Sequence, residues 1–257
     1  MGPRKINFMP DSIDGIGFDY GNTLVSDPFE RVTKLKANDF VAIMEANRYE
    51  ISGRKLVKAW SEVNGRMNYP FCSHFCQEIP LVRAVLERLK VKRSDRFRIS
   101  QQLLASYRSG LKYVLKNDPA IPSVRNVLAE LKRKGKRLII LSNERVYALD
   151  MQLQWTGLAG YFEKIIASGK LGIEKPDPRI FRHMVRAFDL PESKILFVGD
   201  DPERDIRPAK ALGMKACLVE QPGSRANAWR DYAFKLADEE KPDFVIQSIG
   251  ELPALIG

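Results

Sequence analysis

The sequence predicts an α/β fold, a doubly wound parallel sheet with a helical block inserted close to its start. Three observations carry this prediction. From residue 119 onward, short continuous apolar runs alternate with amphipathic helical stretches, the pattern of strands covered on both faces. One more such run, IDGIGFDY (13–20), lies near the beginning. Between the two, residues 27–116 show helical periodicity and no convincing strand.

Taken in order, IDGIGFDY is the first strand. LKANDFVAIMEANRY, GRKLVKAWSEV, PLVRAVLERLK and FRISQQLLASYRSGLKYVL follow as helices. PSVRNVLAELKRKG (122–135) is a helix closed by a glycine, and KRLIILSN (136–143) a buried strand. A helix over 145–157, a strand FEKIIAS (162–168), a proline-opened helix PDPRIFRHMVRAFDL (176–190) and a strand KILFVGD (194–200) come next. The chain continues with a helix PERDIRPAKALG (202–213), a strand MKACLVE (214–220) and a last strand PDFVIQS (242–248) before a short helix. The expected division is 1–26 and 117–257 for a Rossmann-like core, and 27–116 for the helical insertion, since insertions are tolerated at exposed loops.

Composition narrows the function classes. A chain of 257 residues with 44% hydrophobic and 29% charged residues suits a globular protein rather than disorder or a coiled coil. No apolar run approaches the roughly 20 residues that span a bilayer. MGPRKINFMPDSID lacks a signal core, so no membrane association or secretion is expected. Three cysteines (Cys72, Cys76 and Cys217) argue for a reducing compartment, and the expected location is the cytoplasm. Cys72, His74 and Cys76 are too few for a closed zinc site.

The net charge of +10 is unevenly placed: residues 31–116 carry 18 Lys or Arg against 7 Asp or Glu, the remainder 24 against 25. Such a segment attracts anions, although surface charge is screened over about 8 Å at physiological salt. No nucleic-acid-binding motif accompanies it, so nucleic acid is not an expected partner. Tyr107 and Tyr113 suit either a core or a dimer surface, which leaves a homodimer open.

Open parallel sheets bind ligands beyond the carboxyl ends of their strands. Asp19 follows the first strand, Ser142 and Asn143 follow RLIIL, Asp200 and Asp201 follow ILFVG, and Lys175 opens the helix before that strand. Clustered carboxylates repel unless a cation intervenes, and hard oxygen donors suit Mg²⁺, which shares substrate phosphates readily. Carboxylate, Mg²⁺, lysine and hydroxyl at one point describe a phosphoryl-transfer site in which Asp19 attacks phosphorus.

These stretches carry a resemblance. GFDYGNTL, IILSN, the lysine of LGIEKPDPRIF and VGDDPERD resemble, in order, the four motifs of the haloacid dehalogenase-like hydrolase superfamily, and the helical block resembles its type C1 cap. The resemblance implies Asp19 as nucleophile, Mg²⁺ held by Asp19, the Gly21 backbone carbonyl and Asp200, and Ser142 donating to a phosphoryl oxygen. It further implies Lys175 orienting the nucleophile, Asp205 supporting the metal or Lys175, and Asp201 reaching the metal directly or through water. Gly21, Asn22, Ser142, Asn143 and Lys175 form the expected substrate-binding set. The cap would close over Asp19, with Arg66, Tyr69 and His74 among its candidates for substrate contact.

Gly21 departs from the pattern, because the family's phosphatases carry there the aspartate that protonates the leaving oxygen and later activates water. A general acid or base contributes about 10²–10⁴-fold. Metal binding survives the change, since glycine supplies the same carbonyl. The expected activity is hydrolysis of a small anionic phosphorylated substrate, with the acid supplied from elsewhere (Asn22, Thr23, Asp27 or His74) or not needed. A dehalogenase or phosphonate-hydrolase reaction and a phosphate-binding module without turnover are the alternatives.

Overall fold

The computed structural model describes residues 13–67, 78–144, 146–220 and 240–256. Cys72, His74, Cys76 and Tyr69 fall outside these residues, as does the side chain of Arg66. The chain divides into two compact units, one of Met1–Asp27 with Pro119–Gly257 and one of Pro28–Asp118.

The first unit holds a six-stranded parallel sheet of order β3-β2-β1-β4-β5-β6. Its strands are β1 (Gly15–Phe18), β2 (Arg137–Ser142), β3 (Lys164–Ala167), β4 (Ile195–Gly199), β5 (Lys215–Val219) and β6 (Phe244–Ile246). Every neighbouring pair is parallel. That order reverses beside β1, which makes the crevice between β1 and β4 the switch point of a doubly wound sheet. Phe18 is level with Ile140 of β2 and Val198 of β4, so the three strands finish within two residues of one another at the same end of the sheet.

Parallel strands covered on both faces need apolar side chains in both directions, and every residue of β1 and β4 is buried. One face is packed by Ile139, Leu141, Phe181, Met184, Phe188, Phe197 and Leu218. Each such fully buried side chain contributes about 1.5–3 kcal/mol of transfer free energy. Phe181 meets Phe197 edge-on at 5.1 Å, which locks the helix that follows the lysine loop onto β4.

The covering helices are α6 (Ile121–Arg133), α7 (Val146–Thr156), α8 (Ser168–Leu171), α9 (Pro178–Phe188), α10 (Arg207–Ala211) and α11 (Leu252–Leu255), where α1–α5 belong to the second unit. Gly135, with φ of +76°, lies just past the end of α6. α8 has only four residues, too few for a periodic pattern to announce it.

Two sequence expectations are corrected here. The stretch 202–213 is not one α-helix: Pro202–Ile206 form a wider π turn, and α10 begins only at Arg207. Asp201 starts that turn, its carboxylate accepting the N–H groups of Glu203 and Arg204 and its carbonyl accepting that of Asp205 at 2.8 Å. A π turn redirects one side chain relative to an α-turn, and such turns recur at functional sites. Lys175 does not open a helix either. It lies in the preceding loop, because Asp177 caps α9 by accepting the Arg179 N–H and Pro178 takes the first helical position.

The second unit consists of α1 (Phe29–Leu35), α2 (Ala37–Ala46), α3 (Gly53–Met67), α4 (Glu78–Arg88) and α5 (Arg93–Lys116). Its core gathers around Trp60, whose rings stand 5.4 Å from both Phe40 and Tyr107. Tyr107 thus packs against the core, whereas Tyr113 is exposed. Among the described residues no helix is long and apolar enough to cross a membrane.

Candidate active site

Asp19 is the first residue beyond β1, and its N–H donates to the Val198 carbonyl at 2.9 Å, as though the strand continued one step. That bond fixes the backbone, so the carboxylate stands at the switch point, buried at 8% exposure. Oδ1 accepts from Lys175 Nζ at 2.7 Å and Oδ2 from the Thr23 hydroxyl at 3.3 Å.

Lys175 is 2% exposed, and a cation at that depth needs partners. It has two: its Nζ also donates to Asp205 Oδ1 at 2.6 Å, and the ammonium stands 5.6 Å from the centre of the Phe197 ring. Burial opposes the charge, but the carboxylates of Asp19 and Asp205 outweigh it and hold the lysine above its ordinary range. It is therefore a fixed cation at any physiological pH. Asp205 is itself raised by burial, with Asp19 and Asp201 adding to the effect and Lys175 opposing it.

The π turn explains how Asp205 gets there. Its Oδ2 accepts the Asp201 N–H at 3.1 Å, and its carboxylate lies against Gly199. A Cβ on residue 199 would stand 2.4 Å from Asp205 Oδ2, so only glycine at the end of β4 admits this side chain. VGDD is thus a unit in which the glycine makes room and the carboxylates flank it.

Asp200 completes the acidic set. Asp19, Asp200 and Asp205 each present a carboxylate oxygen within 4.8 Å of the others, and all three are buried. Three hard, anionic oxygens with no sulfur or imidazole among them fit a small divalent cation such as Mg²⁺. Asp201 stands differently: its Oδ1 accepts from Glu203 N at 3.0 Å and Arg204 N at 3.1 Å, while Oδ2 is 3.7 Å from Arg204 Nε.

Ser142 is the last residue of β2, opposite Ala167 of β3, and is buried at the same edge of the sheet. Asn143 was expected to meet substrate, yet its amide faces the protein. Its Oδ1 accepts the Lys175 N–H at 2.8 Å and its Nδ2 donates to the Lys175 carbonyl at 2.9 Å. The sequence held no sign of this pairing across 32 positions.

Around Gly21 the chain makes a tight loop. Leu24 and Val25 donate to the Tyr20 carbonyl, Asn22 N–H donates to Val25 O at 2.7 Å, and Asn22 takes φ of +55°. Asn22 Oδ1 accepts the Asp27 N–H at 3.0 Å, which closes the loop on itself. Gly21 is exposed, and a Cβ there would meet nothing within 4 Å. Of the expected replacement acids, the Thr23 hydroxyl bonds to Asp19, the Asn22 side chain accepts the Asp27 backbone N–H, and His74 is outside the described residues.

Known proteins give this geometry a setting. The chain is 37% identical over 103 residues to a phosphoserine phosphatase of Thermus thermophilus, covering 40% of this chain and 41% of that one. It is 31% identical over 137 residues to haloacetate dehalogenase H-2 of a Moraxella species, covering 52% and 56%. The chain spans about half the length of the curated relatives it matches, 41–56% for three of them. The crystal structure of a HAD phosphatase from Thermococcus onnurineus shares the fold, with a TM-score of 0.63 at 19% identity over 95% of this chain and 98% of that one. The profile of the haloacid dehalogenase-like hydrolases matches residues 13–213, which takes in every residue of the acidic site. The chain belongs to the haloacid dehalogenase-like hydrolase family.

Proposed function

We propose that the chain is a Mg²⁺-dependent phosphohydrolase of a small phosphorylated metabolite, working through an aspartyl-phosphate on Asp19 and without the usual aspartate at position 21. The observation that carries this reading is Lys175 held between Asp19 and Asp205 beside Asp200. A nucleophile steered by a lysine and flanked by two further carboxylates suits a substrate that arrives with a cation. Displacement of a halide ion from carbon builds no charge on phosphoryl oxygens and has no such need of a metal cation.

Asp19, Asp200 and the Gly21 carbonyl would hold the metal, with Asp205 holding Lys175. When bound, Mg²⁺ supplies charge stabilisation at the phosphoryl oxygens. In the first step the Asp19 carboxylate forms a bond to phosphorus as the bond from phosphorus to the leaving oxygen breaks. Lys175 keeps Oδ1 oriented and balances the charge, and Ser142 donates a hydrogen bond to an equatorial oxygen. With glycine at 21, the leaving oxygen takes its proton from solvent, which favours acyl or aryl phosphates over alkyl esters. Water then attacks phosphorus and frees Asp19 and inorganic phosphate. The excess of basic residues within 31–116 supports a small, multiply anionic substrate.

Phosphate release tests this reading, measured with and without Mg²⁺ on acyl phosphates, sugar phosphates, nucleotides and an activated aryl phosphate. Mg²⁺-dependent release that disappears in Asp19→Asn is expected. Release that persists in Asp19→Asn, or silence across the panel, would overturn it. The Moraxella relative gives a second reading, haloacid dehalogenation, for which halide release from a 2-haloacid is the matching assay.

A further inference from the structure

We propose that Asn143 is the positioning residue of the active-site lysine, its side-chain amide fixing the Lys175 backbone so that Nζ is delivered between Asp19 and Asp205. The inference rests on the phosphohydrolase reading. Lys175 sits in a loop between Gly172, which has φ of +64°, and the α9 cap Asp177, so neither a strand ladder nor a helix sets its backbone. Asn143 takes that part. Its acceptor meets the lysine N–H at 2.8 Å and its donor meets the lysine carbonyl at 2.9 Å, reproducing the two-bond exchange between residues of neighbouring strands.

Two features make this more than loop tethering. Asn143 is covalently next to Ser142, so the amide ties the serine at the end of β2 and the lysine on its loop into one register. Lysine also carries four rotatable bonds and about 2 kcal/mol of rotamer entropy, so a precise tip requires a fixed root. Lys175 Nζ must satisfy contacts of 2.7 and 2.6 Å at once, and a shift of its Cα loosens both together. Asn143 therefore acts on turnover through Lys175 and contacts no reacting atom.

The test is a double-substitution cycle, read as turnover of an activated aryl phosphate with Mg²⁺. Asn143→Ala is expected to lower kcat by on the order of 10²-fold, the cost of a roughly 1 Å misplacement, with KM within about 3-fold. In a Lys175→Ala background the same change is expected to cost less than about 2-fold, because the group it serves is gone. Equal losses in both backgrounds, or a rise in KM with kcat intact, would overturn the proposal. If Asn143→Ala does not fold, Asn143→Asp carries the test, since it keeps the acceptor and replaces the donor. A second readout needs no turnover. In protein with ¹³C-labelled lysine, the Lys175 side-chain resonance is expected to shift in Asn143→Ala with other lysines unmoved, and an unshifted resonance would overturn the clasp. Should Asp19→Asn retain full turnover, the phosphohydrolase reading falls, and the resonance alone decides the role of Asn143.

Discussion

Replacing Gly21 with aspartate is expected to raise turnover of alkyl phosphate esters by about 10–100-fold, up to the lower bound of the roughly 10²–10⁴-fold that an optimally placed general acid contributes. That corresponds to about 1.4–2.7 kcal/mol off the barrier. The position accepts the change: residue 21 is exposed, lies outside the left-handed region, and a Cβ there meets no atom within 4 Å. The folding cost should stay within about 0.5 kcal/mol, as for most surface substitutions. The assay compares kcat for an alkyl and an aryl phosphate in wild type and Gly21→Asp. A gain confined to the alkyl ester is expected, because a good leaving group needs no proton. A folded variant with intact aryl turnover and no alkyl gain would refute the reasoning, since protonation would then be supplied elsewhere in the protein.

Three further predictions follow from the packing. Gly199→Ala places a Cβ 2.4 Å from Asp205 Oδ2, so Asp205 must move and release Lys175; a loss of about 1–3 kcal/mol in thermal unfolding is expected, together with loss of turnover. Lys175→Met leaves Asp19 and Asp205 buried without their cation and should cost about 3–5 kcal/mol in Mg²⁺-free buffer. Added Mg²⁺ should recover part of this, measured as a concentration-dependent rise in Tm, because the ion binds the native state alone. Asp243 is raised by burial, but hydrogen bonds from Lys210, the Ala216 N–H and Lys215 outweigh that and hold it below its ordinary value of 3.8. Its contribution is therefore complete above that value and fades as pH falls below it. The difference in unfolding free energy between wild type and Asp243→Asn should be about 1–2 kcal/mol near neutrality and shrink in acid. A difference that grows in acid would contradict the assignment.

The sheet was legible because parallel strands covered on both faces leave runs such as RLIIL and ILFVG that polar chemistry interrupts only at their ends. The residues at those ends, Asp19, Ser142 and Asp200, were therefore readable as a group, and the structure brings Asp19, Asp200, Asp205 and Lys175 together. What the sequence hid depends on single hydrogen bonds. PERDIRPAKALG has helical spacing, yet the Asp201 cap and the wide turn behind it point Asp205 inward. Pro178 and the capping Asp177 push the start of α9 past the lysine, leaving Lys175 on a loop. The amide of Asn143 reads in sequence as one more polar group at a strand end. Only the fold shows that a backbone 32 residues away uses both of its functions.

The central claim is that Asp19 carries the phosphoryl group, and rapid quenching during turnover of an aryl phosphate with Mg²⁺ tests it most directly. Mass spectrometry of the digested protein is expected to find one phosphoryl group on the peptide containing Asp19, absent from Asp19→Asn and longer-lived without an acid at position 21. Full turnover with no phosphorylated Asp19 peptide at any quench time, or the adduct on another residue, would contradict the account.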